Sequence, residues 1–232
     1  MAARLGALRE RVAAAAAGAG RDPGALTVVV VTKFFPAADV RALARLGVRD
    51  VGESRDQEAS AKADELAGEH PDLRWHFVGQ LQTNKCRSVA RYASAVHSVD
   101  RPRLAGALSS AAAAAGRAVD CFVQVDLAAA LGAPVDPARG GAAGDDVLRV
   151  ADDVAAAPAL RLAGLMAVAP RGEEPARAFA ALVRAAERVR AAHPGAVLLS
   201  AGMSGDLEAA VAAGATHLRV GSAVLGARPA AR

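Results

Sequence analysis

Short apolar runs and helical segments alternate along the whole chain, and this alternation limits the possible folds more than any other feature. Eight runs rich in valine, leucine and alanine predict β-strands at residues 27–31, 48–51, 73–77, 95–99, 119–125, 161–166, 196–199 and 217–220. An amphipathic helix is predicted at the start of the chain, and further helices at 37–46, 55–67, 84–92, 101–115, 145–156, 175–192 and 205–213. Eight strands alternating with helices in 232 residues are typical of an α/β (β/α)8 TIM barrel, although a doubly wound open sheet has the same local pattern.

The domain organisation follows from composition. No change in composition marks a second domain, so we expect one domain over residues 1–232, with a short disordered tail after about residue 227. The stretch 128–144, rich in proline, glycine and alanine, interrupts the alternation and predicts a mobile loop after the fifth strand.

Composition also excludes several classes of partner. No apolar run approaches the ~18 residues of a membrane-spanning helix, so no membrane partner is expected. The arginines are scattered and lack interleaved aromatic residues, which argues against a nucleic-acid surface. Cys86 and Cys121 stand far apart without a CxxC motif, and the histidines lack metal-ligand spacing. We therefore expect free thiols in a cytoplasmic protein, and no metal site.

Lysine is rare in this chain. Of 28 basic residues only Lys33, Lys62 and Lys85 are lysines, so arginine supplies nearly all of the positive charge. Lys33 follows the first predicted strand, at the end where barrels collect catalytic groups, and a lysine can supply a neutral amine as nucleophile where an arginine cannot. The alternative is an ordinary solvated lysine at a strand end. We expect Lys62, on a predicted helix, to face solvent.

The turns after the last two strands carry small residues and serines. Ser200, Met203 and Ser204 follow the seventh strand, and Gly221 and Ser222 follow the eighth. In barrels the loops after these two strands form the recurrent phosphate site, with backbone N–H groups directed at the anion. Taken alone, Ser204 fits a helix N-cap better than a phosphate contact. Because both turns share this character, we favour phosphate binding.

Two further polar residues lie in apolar strands. Arg219 needs a partner, which could be a carboxylate, a phosphate or a ring nitrogen, and a structural ion pair is the alternative. His76 could act as an acid, a base or a cofactor contact, but a lone strand histidine is more often a hydrogen-bonded core residue.

A lysine on the first strand together with a phosphate site on the last two suggests a barrel that binds pyridoxal phosphate. Four segments strengthen this hypothesis: VVVVTKFFP, WHFVGQLQTNK, LRLAGLMAV and SAGMSGDLEAAVAAGATHLRVGSAVLGAR. Together they resemble the pyridoxal phosphate homeostasis proteins, single-domain relatives of the alanine racemase N-terminal barrel. The resemblance extends from about residue 4 to residue 228.

This resemblance implies a site and a function. Lys33 would form the internal aldimine with pyridoxal 5'-phosphate, and Arg219 would face the pyridine nitrogen. The phosphate region would contain Ser200, Met203, Ser204, Gly221 and Ser222. The chain would hold the cofactor reversibly and buffer it or deliver it to apo-enzymes that depend on it, without catalysis of its own, as a monomer or weak homodimer.

Two other functions stay open at this point. The first is a racemase-like enzyme, which by the resemblance would need a tyrosine as second base; the only tyrosine here is Tyr92, in a predicted helix. The second is a Schiff-base aldolase without a cofactor. The sequence also departs from the family in two loops. Ser54 and Arg55 replace an asparagine and a tyrosine, and the loop around Arg139 lacks the usual lysine.

Overall fold

The strands close into a parallel barrel. The computed structural model describes residues 1–134 and 140–227, and within them eight strands pair in chain order, with the last strand pairing with the first. They are β1 Thr27–Val31, β2 Asp50–Glu53, β3 Arg74–Phe77, β4 Ala93–Val99, β5 Val119–Gln124, β6 Leu160–Met166, β7 Leu198–Ser200 and β8 His217–Val220. The predicted (β/α)8 barrel is therefore confirmed, and the open-sheet alternative is wrong, because an open sheet has no pairing between its first and last strands.

Helices surround the barrel. They are α1 Ala2–Gly18, α2 Ala37–Arg45, α3 Asp56–Leu66, α4 Cys86–Tyr92, α5 Pro102–Ala114, α6 Ala128–Leu131, α7 Asp146–Ala156, α8 Pro175–Ala192, α9 Leu207–Ala212 and α10 Ser222–Leu225. Helix α1 buries Leu5, Leu8 and Val12, the residues that recur at helical spacing, and it packs against α9 and α10. The first helix thus lies against the two turns in which the sequence predicts a phosphate site. No helix in the described ranges is long and apolar enough to cross a membrane.

Two strands, β2 and β7, begin two residues later than the apolar pattern predicts. Val48 and Ala196 are buried like strand residues, but their backbone N–H groups bond back to the preceding segment, to the carbonyls of Leu43 and His193. Apolar character in the sequence therefore does not distinguish these buried loop residues from strand residues. The predicted loop 128–144 contains the short helix α6. Residues 135–139 of that loop, and the predicted tail from residue 228 onward, lie outside the described residues.

Aromatic and polar side chains share the inside of the barrel. Phe122 stacks on His97 with ring centroids 4.4 Å apart and meets His217 edge-on at 5.1 Å. His76 lies beside both histidines, at 5.1 and 6.1 Å. A cluster of three histidines in a barrel interior is unusual, since such interiors are mostly filled by branched apolar residues.

Candidate functional site

A cavity of about 380 Å³ opens at the carboxyl ends of β1, β7 and β8. It brings together most of the residues singled out from the sequence: Lys33, Met203, Ser204, Arg219, Gly221 and Ser222. Apolar walls come from Val31, Phe35, Val78 and Val168. These residues come from distant parts of the chain, from Val31 to Ser222, and meet because all parallel strands of a barrel end at one rim.

A strained turn holds Lys33 at the rim. Phe34, the next residue, adopts a left-handed backbone conformation with φ of 72°, which is uncommon for a residue with a side chain. Its backbone N–H donates to Glu58 Oε2 at 3.2 Å, and the Arg55 guanidinium lies 4.6 Å from its ring centroid while pairing with Glu58 at 3.0 Å. Arg55, which belongs to the first of the two loops that depart from the family pattern, thus packs on the turn that carries Lys33.

The turns after β7 and β8 touch each other. Ser222 Oγ donates to Ser204 Oγ at 3.2 Å, so the two hydroxyls lie side by side at the cavity wall. A side chain at Gly221 would come within 3.1 Å of the Val31 carbonyl oxygen, so glycine lets the backbone of this turn approach β1 closely. Arg11 of α1, on the outside of the barrel, donates to the Ser204 carbonyl at 2.8 Å and so fixes the turn after β7 against the surrounding helices.

Arg219 is a buried cation. One Nη donates to Ser200 Oγ at 2.6 Å and the other to the Ala167 carbonyl at 2.9 Å. Across residues 1–134 and 140–227 it forms no ion pair with a carboxylate, so the structural ion pair weighed for it is not found. Burial lowers the pKa of Arg219 to about 10, which leaves it charged at neutral pH.

Ser200 and His76 lie elsewhere than the cavity wall. Ser200, grouped with the phosphate region in the sequence, is fully buried, and its hydroxyl lies between Arg219 and His97 Nδ1, the latter at 2.8 Å. His76 bonds to Asp50 through Nε2 and to His97 through Nδ1, both at 2.9 Å. His76 is thus a hydrogen-bonded core histidine, which is the alternative to a role in the site that the sequence left open. Neither Ser200 nor His76 lines the Lys33 cavity.

The expectation that Lys62 faces solvent is wrong. Its side chain is 9% exposed, and its ammonium donates to Glu53 Oε1 at 2.7 Å and to the Thr32 carbonyl at 3.1 Å. Burial raises the pKa of Glu53, against the opposing effect of Lys62. The available signal was Glu53 itself, a carboxylate at the end of a buried strand that needs a cation.

Tyr92 is also buried away from the cavity. Its hydroxyl donates to Asp56 Oδ1 at 3.4 Å, and burial together with that carboxylate raises the pKa of the phenol well above its usual range. It is the only tyrosine in the sequence, and it does not line the Lys33 cavity. The arrangement that a two-base racemase would need is therefore not formed by the described residues.

Comparison with known proteins gives a consistent result. The family model of the alanine racemase N-terminal domain matches residues 4–229. The pyridoxal phosphate homeostasis proteins of Mycobacterium tuberculosis and Escherichia coli are 45% and 34% identical, over 97% of this chain and 91% and 95% of theirs. The solved structure of PipY from Synechococcus elongatus with PLP bound is 33% identical, with a TM-score of 0.82 over 97% of this chain and 99% of that one. The chain therefore belongs to the pyridoxal phosphate homeostasis protein family, within the larger family of the alanine racemase N-terminal domain.

Proposed function

We propose that this chain binds pyridoxal 5'-phosphate in the Lys33 cavity, holds it reversibly as a Schiff base, and buffers it or delivers it to apo-enzymes. The observation that carries the proposal is the donor set of a single cavity: an amine, a guanidinium and a pair of hydroxyls. The names of the relatives and the PLP-bound PipY structure support the same ligand.

The donor set fits the three functional ends of this cofactor. The Lys33 amine condenses with the aldehyde, forming a carbon–nitrogen double bond and releasing one water, and hydrolysis reverses the step. The hydroxyls of Ser204 and Ser222, together with the backbone at Gly205 and Gly221, are suited to the phosphate. The guanidinium of Arg219 remains for the pyridine nitrogen.

Arg219 favours holding over catalysis. When bound, the cofactor supplies an electron sink for amino-acid chemistry, and that sink is strongest when its ring nitrogen carries a proton. A permanent cation facing that nitrogen opposes the proton. Because Arg219 stays charged at neutral pH, the site retains the ligand while stabilising a carbanion poorly.

A reversible bond to Lys33 suits delivery, since hydrolysis returns the intact cofactor. We expect the recipients to be apo-enzymes that depend on pyridoxal phosphate, and the protein to act in the cytoplasm as a monomer or weak homodimer. The two cysteines, Cys86 and Cys121, are buried and free, which suits a reducing compartment.

Absorbance and mass spectrometry test the proposal together. Purified protein mixed with pyridoxal phosphate should show a visible band, and borohydride should fix one cofactor per chain on the peptide containing Lys33. Lys33→Ala should abolish both signals. Lys85→Ala is the matched control, because Lys85 is 39% exposed and lies outside the cavity, and it should behave as the wild type.

Two results would overturn the proposal. A protein that stays colourless with added cofactor excludes the cofactor site and favours the aldolase alternative. Racemisation of an amino acid that depends on Lys33 and exceeds the free-cofactor background would show an enzyme and contradict a purely holding role.

A further inference from the structure

A continuous chain of hydrogen bonds runs through the barrel interior, away from the cavity. It links one residue from each of five strands, and we call it the interior chain: Arg219, Ser200, His97, His76 and Asp50. The four hydrogen bonds between successive members are 2.6, 2.8, 2.9 and 2.9 Å long. Arg219 alone of these lines the cavity. Asp50 is the first residue of β2 and so lies towards the opposite end of the barrel.

The positions of the protons in the interior chain follow from its two ends. Burial disfavours the charge on Asp50, but hydrogen bonds from His76 and from Arg74, the latter at 2.6 Å, outweigh it and lower the pKa of this carboxyl. An ionised Asp50 only accepts, so His76 donates from Nε2, and the Nδ1 of a neutral His76 accepts from His97 Nε2.

The same logic continues to the cavity. The Nδ1 of a neutral His97 accepts from the Ser200 hydroxyl, which leaves the Ser200 oxygen to accept from Arg219. Every hydrogen bond therefore points from the cation towards the carboxylate. The chain connects Arg219, which pairs with no carboxylate among the described residues, to the charge of Asp50 through a serine and two neutral imidazoles.

Both imidazoles must stay neutral for this arrangement. A proton added to His76 Nδ1 would face the N–H of His97 Nε2, and one added to His97 Nδ1 would take away the acceptor of the Ser200 hydroxyl. Burial, together with the neighbouring His76, Arg219 and His217, lowers the pKa of His97 well below its usual value. The other charged groups around this cluster are Asp50, Arg74 and Asp206, together with the exposed ion pair of Asp120 and Arg161.

Resting on the proposed function, we propose that Ser200 and His97 are positioning residues for Arg219. They hold its guanidinium at the place where it meets the ring nitrogen of the cofactor, and they stabilise its buried charge through the distant carboxylate of Asp50. A hydrogen bond to a charged group contributes more than one between neutral groups. Loss of the Ser200 hydroxyl should therefore loosen Arg219 without touching Lys33.

The test compares Ser200→Ala with Ser98→Ala. Ser98 is an equally buried serine on β4, the strand that carries His97, and its hydroxyl has no hydrogen-bond partner in the described part of the chain. Ser200→Ala should retain pyridoxal phosphate about tenfold more weakly, as expected for a lost charge-assisted hydrogen bond. It should also shift the pH dependence of the visible band. Ser98→Ala should match the wild type in both measurements.

His97 provides a second pair of variants. His97→Asn keeps an oxygen close to the position of Nδ1 to accept from Ser200, whereas His97→Leu offers no acceptor. We expect Asn to recover affinity and spectrum relative to Leu. Borohydride should still fix the cofactor on Lys33 in every variant, which separates failure of this inference from failure of the cofactor site.

A measurement without cofactor tests the proton assignment directly. In the apo-protein at neutral pH, nitrogen NMR should show both His76 and His97 as neutral rings protonated at Nε2. A protonated ring or an Nδ1–H form of either histidine overturns the assigned chain. Folded Ser200→Ala and His97→Leu proteins that bind cofactor like the wild type, with unchanged spectra, overturn the positioning role and leave the proposed function intact.

Discussion

Replacing Lys62 by methionine should reveal how strongly the buried pair with Glu53 stabilises the barrel. Methionine keeps most of the apolar length of the side chain and removes the charge. Glu53, which is 1% exposed, would then keep the hydroxyl of Thr32 at 2.7 Å as its partner, while its second oxygen already has none in the described ranges. An uncompensated buried carboxylate is among the costliest defects that a core can contain.

The size of the effect is limited because the variant can avoid a buried negative charge by protonating Glu53. A glutamate that is ionised in the unfolded chain but neutral in the fold costs about 1.4 kcal/mol for each pH unit above its ordinary value of about 4.3. Lys62→Met should therefore lose about 4 kcal/mol of unfolding free energy near pH 7.5, but only about 2 kcal/mol near pH 5.5. In this variant the pKa of the Glu53 carboxyl is raised in the fold, so the free energy of unfolding decreases as pH rises.

Urea unfolding followed by circular dichroism at both pH values measures this difference. Lys85→Met is the control, because Lys85 is partly exposed and 4.0 Å from Asp56, and it should change stability by less than about 0.5 kcal/mol. Adding Glu53→Gln to Lys62→Met should recover most of the loss. An equal loss at the two pH values would refute the reasoning, since the cost would then come from packing and not from charge.

Three further predictions rest on other contacts. Burial lowers the pKa of His217 to about 4, so as pH falls the unfolded chain takes up a proton before the folded chain does. The free energy of unfolding should therefore fall by up to about 3 kcal/mol as pH drops from about 6.5 towards 4. In urea titrations His217→Gln should flatten this slope, and an unchanged slope would contradict the assignment. Gly164→Ala places a Cβ 1.8 Å from a backbone oxygen of β7 and should cost about 2 kcal/mol or more, whereas Gly106→Ala, in open space on α5, should be neutral or stabilising by the same assay. Ser204→Asp combined with Ser222→Asp places like charge beside the proposed phosphate and should weaken cofactor retention on gel filtration; equal retention would mean that the phosphate lies elsewhere.

The barrel and the rim cavity could be predicted because they depend on order along the chain. Apolar runs fix which segments are strands, and a closed parallel barrel brings every strand end to one rim regardless of side-chain detail. Lys33, Arg219 and the turns after β7 and β8 could therefore be assigned to one site without knowing a single contact. Strand boundaries were less certain, because a buried loop residue such as Val48 looks like a strand residue in the sequence.

The interior chain could not be predicted in this way. Its members lie on separate strands, and which side chains meet inside a barrel depends on strand tilt and stagger, which apolar patterns do not encode. The sequence did offer a weak signal: polar residues at His76, His97 and Ser200 interrupt strands that are otherwise apolar. A buried polar group needs a partner, so these three side chains could have been expected to bond, but not to bond to one another.

The scarcity of lysine acquires a more exact meaning from the structure. Of the three lysines, Lys85 is partly exposed, whereas Lys33 and Lys62 occupy sites that a guanidinium would suit poorly, for two different reasons. At Lys33 the proposed chemistry needs an amine that can lose its proton, which arginine cannot do. At Lys62 the buried site offers two oxygens, from Glu53 and Thr32, to a compact ammonium with three donors. A guanidinium there would bury five donors in a fixed plane, where Glu53 and Thr32 present three oxygens. Composition drew attention to Lys33 but left Lys62 as an ordinary solvent-facing residue, and only the surroundings of each side chain distinguish a reactive amine from a structural one.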